Sequence, residues 1–221
     1  MANPISRLAK LPLLFALAAP GSAWASQVLF SNFGPGQSYD QSLALSVGND
    51  FAGDNLAQAG AFTPSSSAQI GAILIALSEG LGQSDPVTVA VAQDNNGLPG
   101  ATLESFSIGG GSLAAMGGGG IVTLSSLLNP MLVAGTQYWV TVSTTLNNSI
   151  GWHHNDGSND SASNLEAYSL DGGINYFAPA GNARGAFEID ALLAQAAPEP
   201  GMLALLAGGA LGMAGRRKRR R

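Results

Sequence analysis

The stretch VTVAV at residues 87–91 alternates a valine with a smaller or polar residue at every step. Successive side chains of a β-strand point to opposite faces of its sheet, so this period of two is typical of a strand with one buried face. The stretch YWVTVS at residues 138–143 alternates in the same way. We therefore predict two strands, with the valines of the first pointing inward. Tyr138 and Trp139 fall on opposite faces of the second, and we expect one of the two rings to be exposed.

The same short, turn-rich pattern extends through the middle of the chain. Turn sequences such as DNNGLPG at residues 94–100 separate the apolar stretches. Many short strands at this spacing favour an antiparallel sheet over alternating β-α units. We predict an all-β domain over residues 26–195, an antiparallel β-sandwich or jelly-roll-like fold with its acidic side chains largely outward. The further strand candidates are 28–33, 41–47, 68–77, 103–108, 120–125, 165–170, 174–177 and 185–190.

Charge is distributed very unevenly along the chain. The whole sequence has 14 acidic and 9 basic side chains, but between residues 26 and 197 Arg184 alone opposes thirteen acids, a net charge of −12. Such a body lacks the lysines and arginines that contact phosphate backbones, which excludes nucleic acid as a partner. The chain has no cysteine, so its stability does not rely on disulfides.

The first 25 residues have the three parts of a secretory signal peptide. Arg7 and Lys10 precede an apolar stretch at residues 11–19, and Ala23 and Ala25 form a small-x-small cleavage site. We predict export through the secretion machinery and a mature chain that begins at Ser26. The alternative is a short buried helix of the domain.

The last 26 residues have a different three-part order. Pro198, Glu199 and Pro200 precede an uncharged, mostly apolar stretch at residues 201–215. As a helix these 15 residues span only about 22 Å, against a hydrocarbon core of about 30 Å. We predict a short transmembrane helix whose basic tail stays on the cytoplasmic side, the alternative being a buried C-terminal helix. The tail consists of Arg216, Arg217, Lys218, Arg219, Arg220 and Arg221.

This order resembles the PEP-CTERM sorting signal. The resemblance implies a protein exported by a Gram-negative bacterium and processed by an exosortase-type membrane protease. It implies a transient inner-membrane anchor, followed by location at the cell envelope or extracellular surface. Proteins with this signal commonly accompany exopolysaccharide and biofilm production. The body also resembles choice-of-anchor R β domains, in DNNGLPGATL at residues 94–103, LVAGTQYWVTV at residues 132–142 and Gly151-Trp152. That resemblance implies no activity.

Signatures of catalysis are absent from the sequence. It contains no cysteine nucleophile, no H-E-x-x-H, no G-x-S-x-G and no P-loop. GGGSLA at residues 109–114 formally fits a dinucleotide motif, but it lies in low-complexity glycine that reads as a flexible loop. We interpret His153 and His154 as ordinary surface or loop histidines. We therefore predict that the protein is not an enzyme, although a Ser-His-Asp triad, which is defined by geometry, stays open.

Oxygen-bearing side chains alternate in the stretch DGSND at residues 156–160. Asp156, Ser158 and Asp160 are candidate ligands of Ca²⁺, which prefers several carboxylate and carbonyl oxygens; a solvated polar loop is the alternative. A second, weaker candidate comprises Asp50, Asp54 and Asn55. Ca²⁺ is the one cofactor that the sequence suggests.

Three functional hypotheses follow from these observations. The first is an exported, non-enzymatic protein of the envelope or extracellular matrix, associated with exopolysaccharide or biofilm. The alternative is a secreted carbohydrate- or calcium-binding β-sandwich module, which rests on Trp152 and the acidic loop beside it. Trp152 is interpreted either as a core aromatic residue or as a platform for sugar stacking. A secreted hydrolase is a third hypothesis, which rests on the export route alone.

Overall fold

A computed structural model describes residues 27–49, 53–80, 85–115, 118–145, 147–157, 165–178 and 184–192. The predicted signal peptide, with Ala23 and Ala25, lies outside these ranges. The predicted sorting signal at residues 196–221 also lies outside them. The structure therefore does not test the predictions for the two termini.

The described part of the chain consists of strands joined by turns, without a helix, which confirms the predicted all-β class. Within it, no helix has the length and apolarity needed to cross a membrane. The strands are β1 (Val28–Ser31), β2 (Tyr39–Asn49), β3 (Asn55–Phe62), β4 (Ala68–Glu79), β5 (Val87–Asp94), β6 (Pro99–Ile108), β7 (Gly120–Ser125), β8 (Met131–Leu132), β9 (Tyr138–Ser143), β10 (Ser149–Asn155), β11 (Glu166–Ser169) and β12 (Phe187–Ala191).

Hydrogen bonds link these strands in the order β1-β12-β4-β10-β2-β3-β9-β5-β6. Strands β7 and β8 also pair with β4, and β11 pairs with β3. All of these strand pairings are antiparallel. The link between β2 and β3 is short, with Gly48 opposite Leu56 and Asn49 opposite Asn55. It divides the sheet into a first half around β4 and a second half around β9.

The two halves enclose one apolar core, as the sandwich prediction requires. Phe62 of β3 lies 5.6 Å from Phe30 of β1 and 5.8 Å from Phe187 of β12, measured between ring centroids. The inward positions of β5 are Val87, Val89 and Val91, and all three are buried in this core as predicted.

The prediction that Tyr138 or Trp139 is exposed is wrong. Tyr138 is 7% exposed within the core, and Trp139 is fully buried on the opposite face. Trp139 packs there against small side chains of β3, β5 and β11, with Leu98 and Tyr176 beside them. A second layer of chain thus covers part of the outer face of β9. The alternation of residue types along one strand does not reveal such a layer.

Acidic side chains are not all outward either, since Glu79, Glu104 and Glu188 are buried. Glu104 accepts hydrogen bonds from Ser126 Oγ at 2.5 Å and from the backbone N–H groups of Leu127 and Leu128 at 2.7 and 3.0 Å. Burial by itself would raise the pKa of Glu104, but these bonds outweigh it and hold the pKa below its ordinary value. This buried carboxylate therefore fixes a loop that lies far from it in sequence.

Trp152 is a core residue, which settles the choice left open by the sequence. Its side chain is fully buried, and Nε1 donates a hydrogen bond to the carbonyl oxygen of Ala186 at 3.1 Å. The indole lies directly on the backbone of Gly185, so that a Cβ at this position would overlap three of its ring atoms. A glycine is needed here because of this close approach.

Replacing Gly185 with alanine should destabilise the domain. The added methyl group must displace the Trp152 ring, and overpacking of this kind costs about 1–3 kcal/mol. Urea unfolding at neutral pH should show a lower midpoint. Gly120→Ala is the matched control, because a Cβ there comes no closer than 3.8 Å to Ala114. Equal midpoints for the two variants would show that the indole does not require a glycine.

Candidate binding groove

A groove of about 200 Å³ runs along the outer face of the second half of the sheet. Its floor is formed by β5, β6 and β9, and one wall is the segment around residues 172–176. The alternation that buries valines on β5 turns Thr88, Ala90 and Ala92 toward this side. Among the residues that the structure describes, the groove lining has six hydroxyl groups and no carboxylate or amine side chain. The hydroxyl groups belong to Thr88, Thr102, Ser105, Thr141, Ser143 and Tyr176.

Tyr176 is the aromatic residue of the groove. Its hydroxyl shares a hydrogen bond with the side chain of Thr141, and burial raises the pKa of Tyr176 to about 12. The phenol is therefore neutral at physiological pH and keeps its O–H. Its ring also borders a neighbouring recess of about 510 Å³, which Asn95, Leu98, Ile174, Asn175 and Phe177 help to line. The groove and the recess share Pro99 and Tyr176, and we treat them together as the candidate site.

One wall of this site is a turn organised by Asp171. Its Oδ1 accepts hydrogen bonds from Ser169 Oγ at 2.6 Å and from the backbone N–H groups of Ile174 and Asn175 at 3.0 and 2.9 Å. These bonds, with that of Ser169 the strongest, lower the pKa of Asp171 to about 2. The turn leaves Ile174 80% exposed and Phe177 51% exposed at the rim of the recess. The wall is thus rigid and presents apolar side chains.

The other wall is the turn between β5 and β6, where the sequence predicts one. Asp94 Oδ1 accepts hydrogen bonds from Trp139 Nε1 at 2.8 Å and Gln137 Nε2 at 2.7 Å, and Oδ2 accepts one from Gly97 N at 3.1 Å. Burial opposes ionisation of Asp94, but these bonds prevail and lower its pKa. Asn96 and Gly97 both have positive φ, 55° and 82°, which suits an Asn-Gly turn.

The candidate calcium ligands are only partly described. Asp156 Oδ2 accepts a hydrogen bond from Ser38 Oγ at 2.5 Å, and the carboxylate lies against Gly34. Ser158 and Asp160 lie outside the described ranges, as does Asp50 of the second candidate. Within those ranges no group of three or more His, Asp or Glu side chains is arranged to hold a metal ion. The calcium site stays a prediction.

The interpretation of the histidines as surface or loop residues is wrong for His153. Both histidines lie on β10, and His153 is only 1% exposed. Its ring lies 5.5 Å from that of Tyr39 and contacts Gly119, and neither ring nitrogen has a hydrogen-bond partner among the residues that the structure places. His154 is half-buried, and burial lowers its pKa. The two side chains do not join the groove.

The groove residues were not singled out from the sequence, although a signal exists. Outward positions of a solvent-facing strand usually carry charged or long polar side chains. The outward positions 88, 90, 92, 141 and 143 instead carry only threonine, alanine and serine. Such a series of small side chains on neighbouring strands leaves room above the sheet.

Comparison with known proteins concerns the C-terminus. Residues 196–220 match the family model of the PEP-CTERM protein-sorting motif. The chain carries a PEP-CTERM sorting signal. This signal includes Pro198, Glu199 and Pro200, and it implies export, transient anchoring in the membrane and processing by an exosortase, a membrane protein. No curated protein and no solved structure matches this chain. The PEP-CTERM match does not reach the body, whose resemblance to choice-of-anchor R domains stays a prediction.

Glu166 of β11 should make the stability of the domain depend on pH. Burial raises the pKa of Glu166 to about 7, and the positive charge of Arg184 offsets only part of this effect. The ordinary value in an unfolded chain is about 4.3, so the folded state binds more protons between these two values and loses stability as pH rises through them. Glu166→Gln should therefore raise the melting temperature at pH 8 and change it little at pH 4.5. An equal difference in melting temperature between Glu166→Gln and the unmodified protein at both pH values would contradict the raised pKa of Glu166.

Proposed function

We propose that the protein is an exported, non-enzymatic component of the cell envelope or extracellular matrix that binds neutral polysaccharide. In this proposal the PEP-CTERM signal delivers the domain through an exosortase, and the hydroxyl-lined groove holds the glycan. The groove beside Tyr176 is the observation that carries the proposal. It replaces Trp152, which is buried, as the basis for carbohydrate binding.

The chemistry of the groove suits a sugar chain. Threonine, serine and tyrosine hydroxyls each donate and accept hydrogen bonds, as sugar hydroxyls do, and they need no fixed charge on the ligand. Tyr176 and the exposed Phe177 supply amphipathic and apolar surfaces for the C–H faces of a pyranose ring. The groove also adjoins a larger recess that shares Pro99 and Tyr176 with it, which gives room for more than one sugar unit.

Charge favours a neutral glycan over an acidic one. The described residues that line the groove include no lysine or arginine, and the body between residues 26 and 197 has a net charge of −12. A uronic acid polymer would meet repulsion without a compensating cation, because like-charge fields oppose association. The matrix partner proposed is therefore a neutral exopolysaccharide.

The roles of the carboxylates support a non-enzymatic function. Asp94, Glu104 and Asp171 each accept several hydrogen bonds that hold a loop, and each has a lowered pKa. A general acid works best when its pKa lies near the operating pH. The pKa values of these three carboxyls lie below that range. Glu166 does have such a pKa, but it is not part of the groove lining.

Affinity electrophoresis tests glycan binding directly. The protein should be retarded in gels that contain a neutral polysaccharide, such as dextran, a β-glucan or a galactomannan, and not in gels that contain alginate. Ser105→Trp should fill the groove and abolish retardation, because Ser105 is an exposed residue of its floor. Ser125→Trp is the matched control, an exposed serine on β7 outside the groove. Retardation that survives Ser105→Trp would place any glycan contact elsewhere.

Processing of the sorting signal has its own test. Mass spectrometry of the protein from its native host should find a C-terminus near residues 198–201, with Arg216–Arg221 missing. Replacing those six basic residues with serines should reduce correct processing, because each charge at the bilayer centre costs about 3 kcal/mol and the tail therefore stops translocation. Mature surface protein that still ends at Arg221 would show that the tail is a permanent anchor.

A further inference from the structure

Exposed apolar side chains are concentrated at one end of the sandwich. Eleven large apolar side chains are exposed in the part of the chain that the structure describes, and six of them lie at this end. Leu127 is 86% exposed and Leu128 is 70% exposed. We call this set the apolar end; its members are Val28, Leu127, Leu128, Met131, Val133 and Leu192.

The register of β4 shows that these residues are neighbours. Gln69 pairs with Met131 across one edge of β4, and its carbonyl oxygen accepts a hydrogen bond from Leu192 N at 2.7 Å across the other edge. Adjacent strands lie about 4.8 Å apart, so the backbones at Met131 and Leu192 are separated by only about 10 Å. Val28 joins them because Gln27 accepts a hydrogen bond from Ala191 N at 2.8 Å.

The loop that bears most of the apolar end is held in place by the domain. Glu104 binds Ser126 Oγ and the N–H groups of Leu127 and Leu128. Asn129 has a positive φ of 47°, and its Nδ2 donates a hydrogen bond to the carbonyl oxygen of Ile70 at 2.9 Å. Residues 126–137 contain no charged side chain. The leucines therefore stay exposed on a fixed loop that itself carries no charged side chain.

The chain itself indicates what covers this surface. The described domain ends at Leu192, inside the apolar end, and the apolar segment of the sorting signal begins at Gly201. Leu192 and Gly201 are nine residue steps apart, which is at most about 32 Å even when the chain is fully extended. While that segment is in a membrane, the apolar end thus lies within this distance of the bilayer. We infer that the apolar end rests on the bilayer surface during the anchored stage, with its leucines in the interface.

This contact depends on the anchor. An acidic body is repelled by anionic lipid, and a few apolar side chains give only weak interfacial binding on their own. A short tether raises the effective concentration to the millimolar range, which permits contact until processing releases the domain. The inference rests on the membrane stage implied by the sorting signal and not on glycan binding, so the two fail independently.

Site-directed fluorescence can test the inference, because a chain without cysteine accepts a single label cleanly. Full-length Leu128→Cys, labelled with an environment-sensitive dye, is reconstituted in phosphatidylcholine vesicles with or without head-group nitroxide lipid. Asn147→Cys is the control, because it is exposed in the turn between β9 and β10 at the opposite end of the domain. Label at position 128 should shift to shorter emission wavelength and be quenched by the nitroxide lipid, and label at position 147 should do neither.

A label at a second position shows whether the Leu128→Cys substitution itself alters the contact with the membrane. Met131→Cys should be quenched like position 128, and adding Leu127→Ser and Leu128→Ser should reduce its quenching to the level of position 147. Equal quenching at both ends would overturn the inference. A blue shift at position 128 without nitroxide quenching would also overturn it, since that result indicates contact with another protein copy or with another segment of the chain.

Discussion

The pairing requirement of one long strand organises this domain. β4 is twelve residues long, and its backbone groups are satisfied on one edge by β7 and β8 and on the other by β12 and β10. Buried N–H and C=O groups are costly when unpaired, so four separate parts of the chain must converge on this strand. The loop after β7 and the end of β12 become neighbours for this reason, although about 65 residues separate them in sequence.

The second half of the sheet shows how one sequence pattern forms both the core and the groove. Valines at alternate positions of β5 and β9 fill the core, and the positions between them carry small or hydroxyl-bearing side chains. Because these outward residues are short, the turn organised by Asp171 can lie above the strands and leave a groove. The groove is thus lined by those side chains of β5 and β9 that point away from the core.

Local pattern predicted most of the strands, but it missed β3 and β10 and wrongly predicted a strand at residues 174–177, which belong to a turn. It also did not predict the layers that cover the strands. VTVAV predicted its strand and its inner face correctly, YWVTVS predicted its strand, and DNNGLPG predicted the turn between β5 and β6. The burial of Trp139 and His153 was missed because β11 and the glycine-rich segment before β7 cover them, and such coverage depends on contacts between distant residues. The groove was missed for a related reason: it exists only where the register places Thr141 beside Ala90. The sorting signal could be predicted because its order along the chain is itself the signal.

The carboxylates that hold the loops determine how the stability of an exported domain responds to pH, which the cytosol does not buffer there. A carboxylate whose folded pKa is lowered contributes stability above its unfolded pKa, and this contribution is lost only as pH falls through the folded value. The pKa of Asp171 is about 2, and those of Asp94 and Glu104 also lie below their ordinary values. The hydrogen bonds that hold both walls of the groove and the loop of the apolar end are therefore retained under mild acidification. The geometry of the groove is thus insensitive to mild acidification of the medium around the domain.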